Sequence, residues 1–243
     1  MTNKKVLAFD LDGTLAISKS AVSELMAQTL DLLLAEYELL VISGGGWEQF
    51  EKQLIDNLNA EHLFHRVHLM PTCGTHYRIY KDGEWAVVYD EPLTELEVLE
   101  ISEALESSAR ELGYWEENNW GDIIENRRSQ VTFSALGQQA PPEEKYKWDP
   151  DHSKKKQLVE LVLEKIPHFD VKAGGTTSID ITKPGIDKAY GLNKFIDHSG
   201  YTKEEIIFYG DHLYEGGNDY PVQQMGIDSV LVKDPDHTHR LIS

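Results

Sequence analysis

The sequence predicts a doubly wound α/β core interrupted by a smaller α+β insert. Three observations predict it. First, short and wholly apolar runs at 6–9, 39–42 and 206–209 each end abruptly in a polar residue or a glycine turn, at Asp10, Ser43 and Gly210-Asp211. Runs of that length without alternation suit parallel strands buried on both faces. Second, segments with helical spacing separate these runs, as crossover connections between parallel strands require. Third, over about 84–184 the alternation lapses, and strand-like runs come in pairs around turn residues.

The elements follow in order. A strand at 4–10 leads to a helix near 20–36, where Val22, Leu25, Met26, Thr29, Leu30, Leu33 and Leu34 keep the helical period. The strand at 39–42 runs into Ser43-Gly44-Gly45-Gly46, and a helix at 47–58 follows. His68 to Met70 form a short strand stopped by Pro71, and the runs at 77–80 and 85–89 flank Lys81-Asp82-Gly83, a hairpin signal. A helix at 94–111 precedes strand-like runs at 123–125 and 130–134, then a polar, proline-containing stretch at 137–150 and a helix at 153–165. Two further strands, at 169–172 and 178–182, surround Gly174-Gly175. After Lys183-Pro184-Gly185 the α/β pattern resumes with a helix at 187–198, the strand at 206–209, a short helix and a strand at 229–232. The core is therefore expected at 1–83 and 185–243, with the insert at 84–184.

Composition narrows the function classes. With 243 residues, 40% of them hydrophobic, the chain can bury a proper core. No apolar run approaches the length of a membrane span, and the run after Lys5 is too short for a signal peptide, so a cytoplasmic location is expected. The single cysteine, Cys73, excludes an internal disulfide and a multi-cysteine zinc site. His62, His65 and His68 lack a spacing that would put all three on one rigid metal-binding face. The net charge of −19 argues against nucleic acid and against an anionic membrane surface. It does not exclude a small phosphate ester, because local cations set the field in a cleft.

Asp10 and Asp12 close the first strand, at the carboxyl edge where open α/β sheets bind ligands. Two carboxylates there repel each other unless a cation lies between them, and Mg²⁺ is the natural occupant when the substrate carries phosphate. Ser43, followed by three glycines, offers a hydroxyl and free amides to a phosphate oxygen. The loop at 44–46 lacks the lysine of a nucleotide-binding P-loop. Lys188 opens a helix, where the dipole disfavours a cation, so a specific role is expected of it. Asp211 ends a second buried strand as Asp10 ends the first.

The segment from Val6 to Leu15, with Ser43, Lys188 and Gly210-Asp211 in order, resembles the four motifs of the haloacid-dehalogenase-like phosphotransferase superfamily. The resemblance implies that Asp10 attacks phosphorus, that Asp12 is general acid and base, and that Ser43 and Lys188 are catalytic. It also implies Mg²⁺ held by Asp10, Asp12 and Asp211. Ile124-Glu125-Asn126-Arg127, Gly174-Gly175, Ser178-Ile179-Asp180 and Gly216-Gly217-Asn218-Asp219 further resemble the eukaryotic-type phosphomannomutases, whose insert is a cap over the core. That likeness implies a phosphorylated hexose as substrate, bound by Lys19, Arg127, Lys145, Ser178 and Asp180, and a homodimer through the cap. Lys145 and Lys19 stand where the family carries arginine, and Gln138 stands where another arginine is expected. Lysine lacks the bidentate fork and glutamine the charge, so a clamp for a second phosphate is weakened. The departures favour a sugar-phosphate phosphatase. The alternative is a phosphomannomutase, and a competing class is a silent sugar-phosphate-binding protein, which would have no use for a nucleophile.

Overall fold

The structure, a computed structural model, describes residues 3–174 and 176–243; Gly175 of the expected Gly174-Gly175 turn lies outside them. The chain divides into two compact units, Met1–Asp90 with Ile186–Ser243, and Glu91–Gly185.

The first unit is built on a seven-stranded sheet. Its strands are β1 (Val6–Phe9), β2 (Glu38–Ile42), β3 (Val67–Met70), β4 (His76–Lys81), β5 (Glu84–Asp90), β10 (Ile206–Gly210) and β11 (Asp228–Leu231), in the order β11-β10-β1-β2-β3-β4-β5. The five from β11 to β3 run parallel, and β4 and β5 are antiparallel additions. Side chains alternate across this sheet, and both faces are buried at its central strands, β1, β2, β3 and β10. Leu7, Phe9, Leu39 and Val41 enter one apolar cluster, and Val6, Ala8, Leu40 and Ile42 enter another. From β1 the chain proceeds to β2 and β3 on one side, and later to β10 and β11 on the other. The carboxyl ends of β1 and β10 therefore form the topological switch point, where such sheets bind ligands.

The first helix, α1 (Glu24–Leu33), is capped by Ser23, whose side chain accepts from the Met26 amide, and it buries Met26, Ala27, Thr29 and Leu30. Helix α2 (Trp47–Gln53) is shorter than the predicted 47–58, because the chain kinks at Leu54 into a 3₁₀ turn. The boundary with the second unit falls after Asp90 and not after Gly83. Residues 84–90 complete a hairpin with β4 around Asp82 and Gly83, both at positive φ as a type I′ turn requires.

The second unit carries a four-stranded antiparallel sheet of β6 (Ile124–Asn126), β7 (Gln130–Ser134), β8 (Asp170–Ala173) and β9 (Ser178–Thr182), in the order β6-β7-β9-β8. Val131, Phe133, Ile179 and Ile181 pack with Ile101 and Leu105 of α3 (Glu95–Glu111) and with Leu158 and Val162 of α5 (Ser153–Lys165). Gln130, Thr132, Ser134, Ser178 and Asp180 alternate onto the opposite face. The polar stretch at 137–150 contains an unpredicted helix, α4 (Pro142–Trp148). A proline in its first turn has φ already set for the helix, with Glu143 and Glu144 beside it and Lys145 and Lys147 at the far end, all agreeing with the dipole.

The remaining helices of the first unit are α6 (Lys188–Ser199), α7 (Tyr220–Gln224) and α8 (Pro235–Ile242). No helix among the described residues is long and apolar enough to cross a membrane.

Candidate active site

Asp10 continues β1 by one residue: its amide donates to the Tyr209 carbonyl of β10 at 3.0 Å. This holds the carboxylate, 3% exposed, at the switch point. Lys188 reaches the same place from the first turn of α6. Asp187 caps that helix, its side chain accepting from the Tyr190 amide at 2.9 Å, so the start of α6 is fixed. The Lys188 ammonium has no solvent exposure and lies 2.7 Å from Asp10 Oδ1 and 2.5 Å from Asp219 Oδ1. Burial pulls its pKa down, but Asp10 and Asp219 outweigh burial and hold it above the ordinary lysine value, so the lysine stays a cation.

Asp211 follows β10 as Asp10 follows β1. Gly13, at φ +82°, leaves the space it needs: a Cβ there would lie 2.3 Å from Asp211 Oδ2. Asp10, Asp211 and Asp219 each bring a carboxylate oxygen within 4.8 Å of the others. Burial, reinforced by the neighbouring carboxylates against the pull of Lys188, raises Asp10 to about 7, and burial also raises Asp211. Such a cluster fits a hard divalent cation. Asp211 Oδ1 is buried without a hydrogen-bond partner among the described residues, an orphan that a cation would satisfy. Asp219 fits less well, since Oδ1 meets Lys188 and Oδ2 accepts from the His212 amide at 3.0 Å. It is the counter-ion that holds Lys188.

The expected ligand Asp12 is not in this cluster. Its Oδ1 accepts from the Lys19 amide at 2.9 Å and from Gln53 Nε2 at 3.1 Å, and its Oδ2 accepts from Gln49 Nε2 at 2.8 Å. The regular strand ends at Phe9, so the alternation that would pair Asp12 with Asp10 no longer holds. Lys19, at φ +58°, contributes its main chain to this arrangement. Ser43 is buried at the end of β2, the neighbour of β1, and its hydroxyl oxygen accepts from the Gly45 amide at 3.3 Å.

In the second unit, Arg127 pairs with Glu125 Oε2, its Nη2 at 2.6 Å, and Nη2 also donates to Gln138 Oε1 at 3.5 Å. Lys145 Nζ donates to the Gln138 carbonyl at 3.2 Å. Arg127 and Lys145 thus meet at the residue that stands in place of the expected arginine. Asp180 Oδ1 accepts from Thr132 Oγ1 at 2.7 Å across the β7–β9 pair, and the Ser178 hydroxyl and Asp180 Oδ2 both lie over Gly174. Asp219, Gln49 and Gln53 carry no assigned role in the sequence reading. The run Gly216-Gly217-Asn218-Asp219 is the one signal for the first, and the spacing of four between the two glutamines on one helix is the signal for the others.

Residues 117–243 match the family model of the eukaryotic phosphomannomutases. The phosphomannomutase of Encephalitozoon cuniculi is 27% identical, over 98% of this chain and 92% of its own length. Among solved structures, an IMP-bound, N-terminally truncated IMP-nucleotidase of Plasmodium falciparum superposes with a TM-score of 0.71 at 15% identity, covering 99% of this chain and 68% of that one. A haloacid dehalogenase-like hydrolase from Bacteroides thetaiotaomicron does so with a TM-score of 0.66 at 17% identity, covering 98% of each. At these identities the solved structures speak for the α/β fold.

Proposed function

Because this chain belongs to the eukaryotic phosphomannomutase family, an enzyme family of haloacid-dehalogenase-like phosphotransferases, we propose that it moves a phosphoryl group between the 1- and 6-positions of a hexose, mannose foremost, by way of an aspartyl phosphate on Asp10. The observation that carries this reading is the buried ladder Asp10–Lys188–Asp219. It keeps a nucleophilic carboxylate beside a permanent cation at the switch point of the sheet. A protein that only bound sugar phosphates would gain nothing from a buried charge of this kind, which is costly unless paired.

Asp10 attacks phosphorus, and the ester oxygen departs as that bond forms. Asp12 gives the departing oxygen its proton. It then removes the proton of the incoming hydroxyl as the phosphoryl group leaves Asp10. Lys188 lies against the nucleophile, and Ser43 offers its hydroxyl to the transferring group, so that charge is met by preorganised donors. Asp10 and Asp211 are the residues that would hold Mg²⁺, which when bound neutralises phosphate charge. Arg127, Lys145, Lys19, Ser178 and Asp180 are assigned to the sugar and its distal phosphate. Glu125 orients the Arg127 guanidinium for that work.

Metal binding and protonation compete for Asp10. Its pKa, raised to about 7, means that the site is proton-free above that value and loses its metal as the pH falls through it. The expected result is that Mg²⁺ raises the apparent Tm clearly at pH 8 and much less at pH 5.5, with affinity dropping roughly tenfold per pH unit below 7 for each proton displaced. Thermal denaturation with and without Mg²⁺ at the two pH values checks it.

The second reading, a sugar-phosphate phosphatase, is favoured by Gln138, which Arg127 and Lys145 flank where a third cation is expected. A mutase needs a firm grip on a bisphosphate while it turns over; a phosphatase does not. The name of the relatives supports the mutase. A paired assay decides: purified protein with Mg²⁺ and mannose 1-phosphate, following free phosphate in one arm. The other arm follows mannose 6-phosphate formed in the presence of catalytic glucose 1,6-bisphosphate. Isomerisation outrunning phosphate release is expected. Phosphate release alone makes water the acceptor, and silence in both arms removes mannose phosphate as the substrate.

A further inference from the structure

We propose that Gln53 and Gln49 of α2 are positioning residues for Asp12, with Gln53 anchoring Oδ1 and Gln49 seated on Oδ2, the oxygen that exchanges the proton. The inference rests on the phosphotransfer reading above.

Gln53 is 3% exposed, unusual for a glutamine, and only one end of its amide is used. Nε2 donates to the Ser20 carbonyl at 2.7 Å and to Asp12 Oδ1 at 3.1 Å, while Oε1 is buried without a hydrogen-bond partner among the described residues. Both partners of Nε2 are acceptors only, so the amide orientation is fixed by chemistry. All the hydrogen bonding of this buried amide therefore runs through its nitrogen. Here that nitrogen ties the catalytic carboxylate to the loop that carries it. The Lys19 amide adds a second donor to the same oxygen. Oδ1 is thus held by two donors, and Oδ2 is left with Gln49 as its one side-chain partner among the described residues.

Gln49 lies one helical turn before Gln53 and reaches Oδ2. An amide suits an oxygen that gains and loses a proton: its NH₂ donates to the carboxylate, and after rotation its carbonyl accepts from the acid. The glycine-rich loop after Ser43 makes room for this side chain. A Cβ on Gly45 would lie 2.3 Å from Gln49 Oε1 and 2.6 Å from its Cδ. Gly45 thus serves Asp12 through Gln49.

In the half-reaction that forms the aspartyl phosphate, the bond from Asp10 to phosphorus forms, the bond from phosphorus to the ester oxygen breaks, and the Oδ2 proton passes to that oxygen. A sugar alkoxide needs this proton, whereas p-nitrophenolate leaves without it. The experiment therefore compares the two leaving groups in the same half-reaction, with Mg²⁺ present. Rapid-quench phosphoenzyme formation is measured from labelled mannose 6-phosphate, and the pre-steady-state burst is measured from p-nitrophenyl phosphate. Wild-type protein is set beside Gln53→Leu, Gln49→Leu and Gly45→Ala, each checked for its melting temperature. The expected result is a loss at least about tenfold larger with the sugar phosphate than with the nitrophenyl ester. Should Gln53→Leu fail to fold, the less buried Gln49→Leu and the loop variant carry the comparison. Equal losses on both esters, or none, overturn the positioning role. A wild-type protein that forms no phosphoenzyme from either ester overturns the phosphotransfer reading, and the positioning role with it.

Discussion

Replacing Lys188 by methionine is expected to be among the most damaging single changes in this protein, for stability and for turnover alike. Methionine fills much of the same volume, so the loss is one of charge and not of packing. In the native chain the ammonium lies between Asp10 and Asp219, and neither it nor Asp219 has any solvent exposure. Removing it leaves Asp10 and Asp219 as two buried carboxylates close together without the cation they share, with Asp211 nearby. Breaking a buried pair in this way costs about 3–5 kcal/mol. For a chain of this size that lowers the apparent Tm by about 6–20 °C. The pH dependence has a definite sign. Lys188, held above its ordinary value, contributes its stability throughout the range below its unfolded pKa and loses it only on titrating at strongly alkaline pH. In the variant Asp10, already raised and now without the cation that pulls it down, rises further, and this penalises folding increasingly as the pH climbs above the ordinary carboxylate range. The gap between wild type and variant should therefore widen from pH 5 to pH 8, and thermal denaturation in a chelating buffer at both values measures it. A gap that stayed constant would mean that Lys188 works through packing.

The part of this site that could be read from sequence is the part delivered by strand ends. Apolar runs that stop at Asp10, Ser43 and Asp211 locate three groups on one edge of a parallel sheet, because burial on both faces leaves the carboxyl end as the place where polarity can begin. Lys188 was legible for the opposite reason: a cation where a helix does not want one. Its partner Asp219 was not, since it comes from the loop between β10 and α7, and that loop returns to the sheet only once the chain has folded. Alternation does not place the Asp12 side chain, because it holds only while the backbone is a strand, and β1 stops at Phe9. Gln49 and Gln53 look in sequence like any polar residues on an amphipathic helix. Their spacing of four places them on one face, but it does not say that this face meets a carboxylate. The boundary at Asp90 was hidden by a hairpin whose second strand belongs to the core sheet and whose sequence resembles the antiparallel insert that follows.

Asp10→Asn should abolish turnover while leaving the fold intact or strengthening it. The amide is isosteric with the carboxylate but is no nucleophile, so no aspartyl phosphate forms. Turnover is expected to fall by at least ~10⁴, the range seen when a member of a catalytic group is lost. Labelled sugar phosphate should leave no phosphoenzyme on the quenched protein, yet still bind, since the residues assigned to the sugar are untouched. The stability effect separates this carboxylate from Lys188. Asp10 sits raised to about 7, burial being the largest cause, so ionising it in the metal-free native protein is unfavourable. A carboxylate whose folded pKa lies above its unfolded value makes folding less favourable as pH rises from about 4 through 7. Asparagine carries no such penalty. In chelating buffer the variant should therefore melt near wild type at pH 5 and above it at pH 8. With Mg²⁺ the order should invert at pH 8, because the variant lacks a carboxylate proposed to hold the metal. A variant that is destabilised at both pH values without metal would mean that the ionised Asp10–Lys188 pair is a net support of the fold. Residual turnover near the wild-type rate would mean that phosphorus is attacked by another group, and the ladder through Lys188 would then be structural.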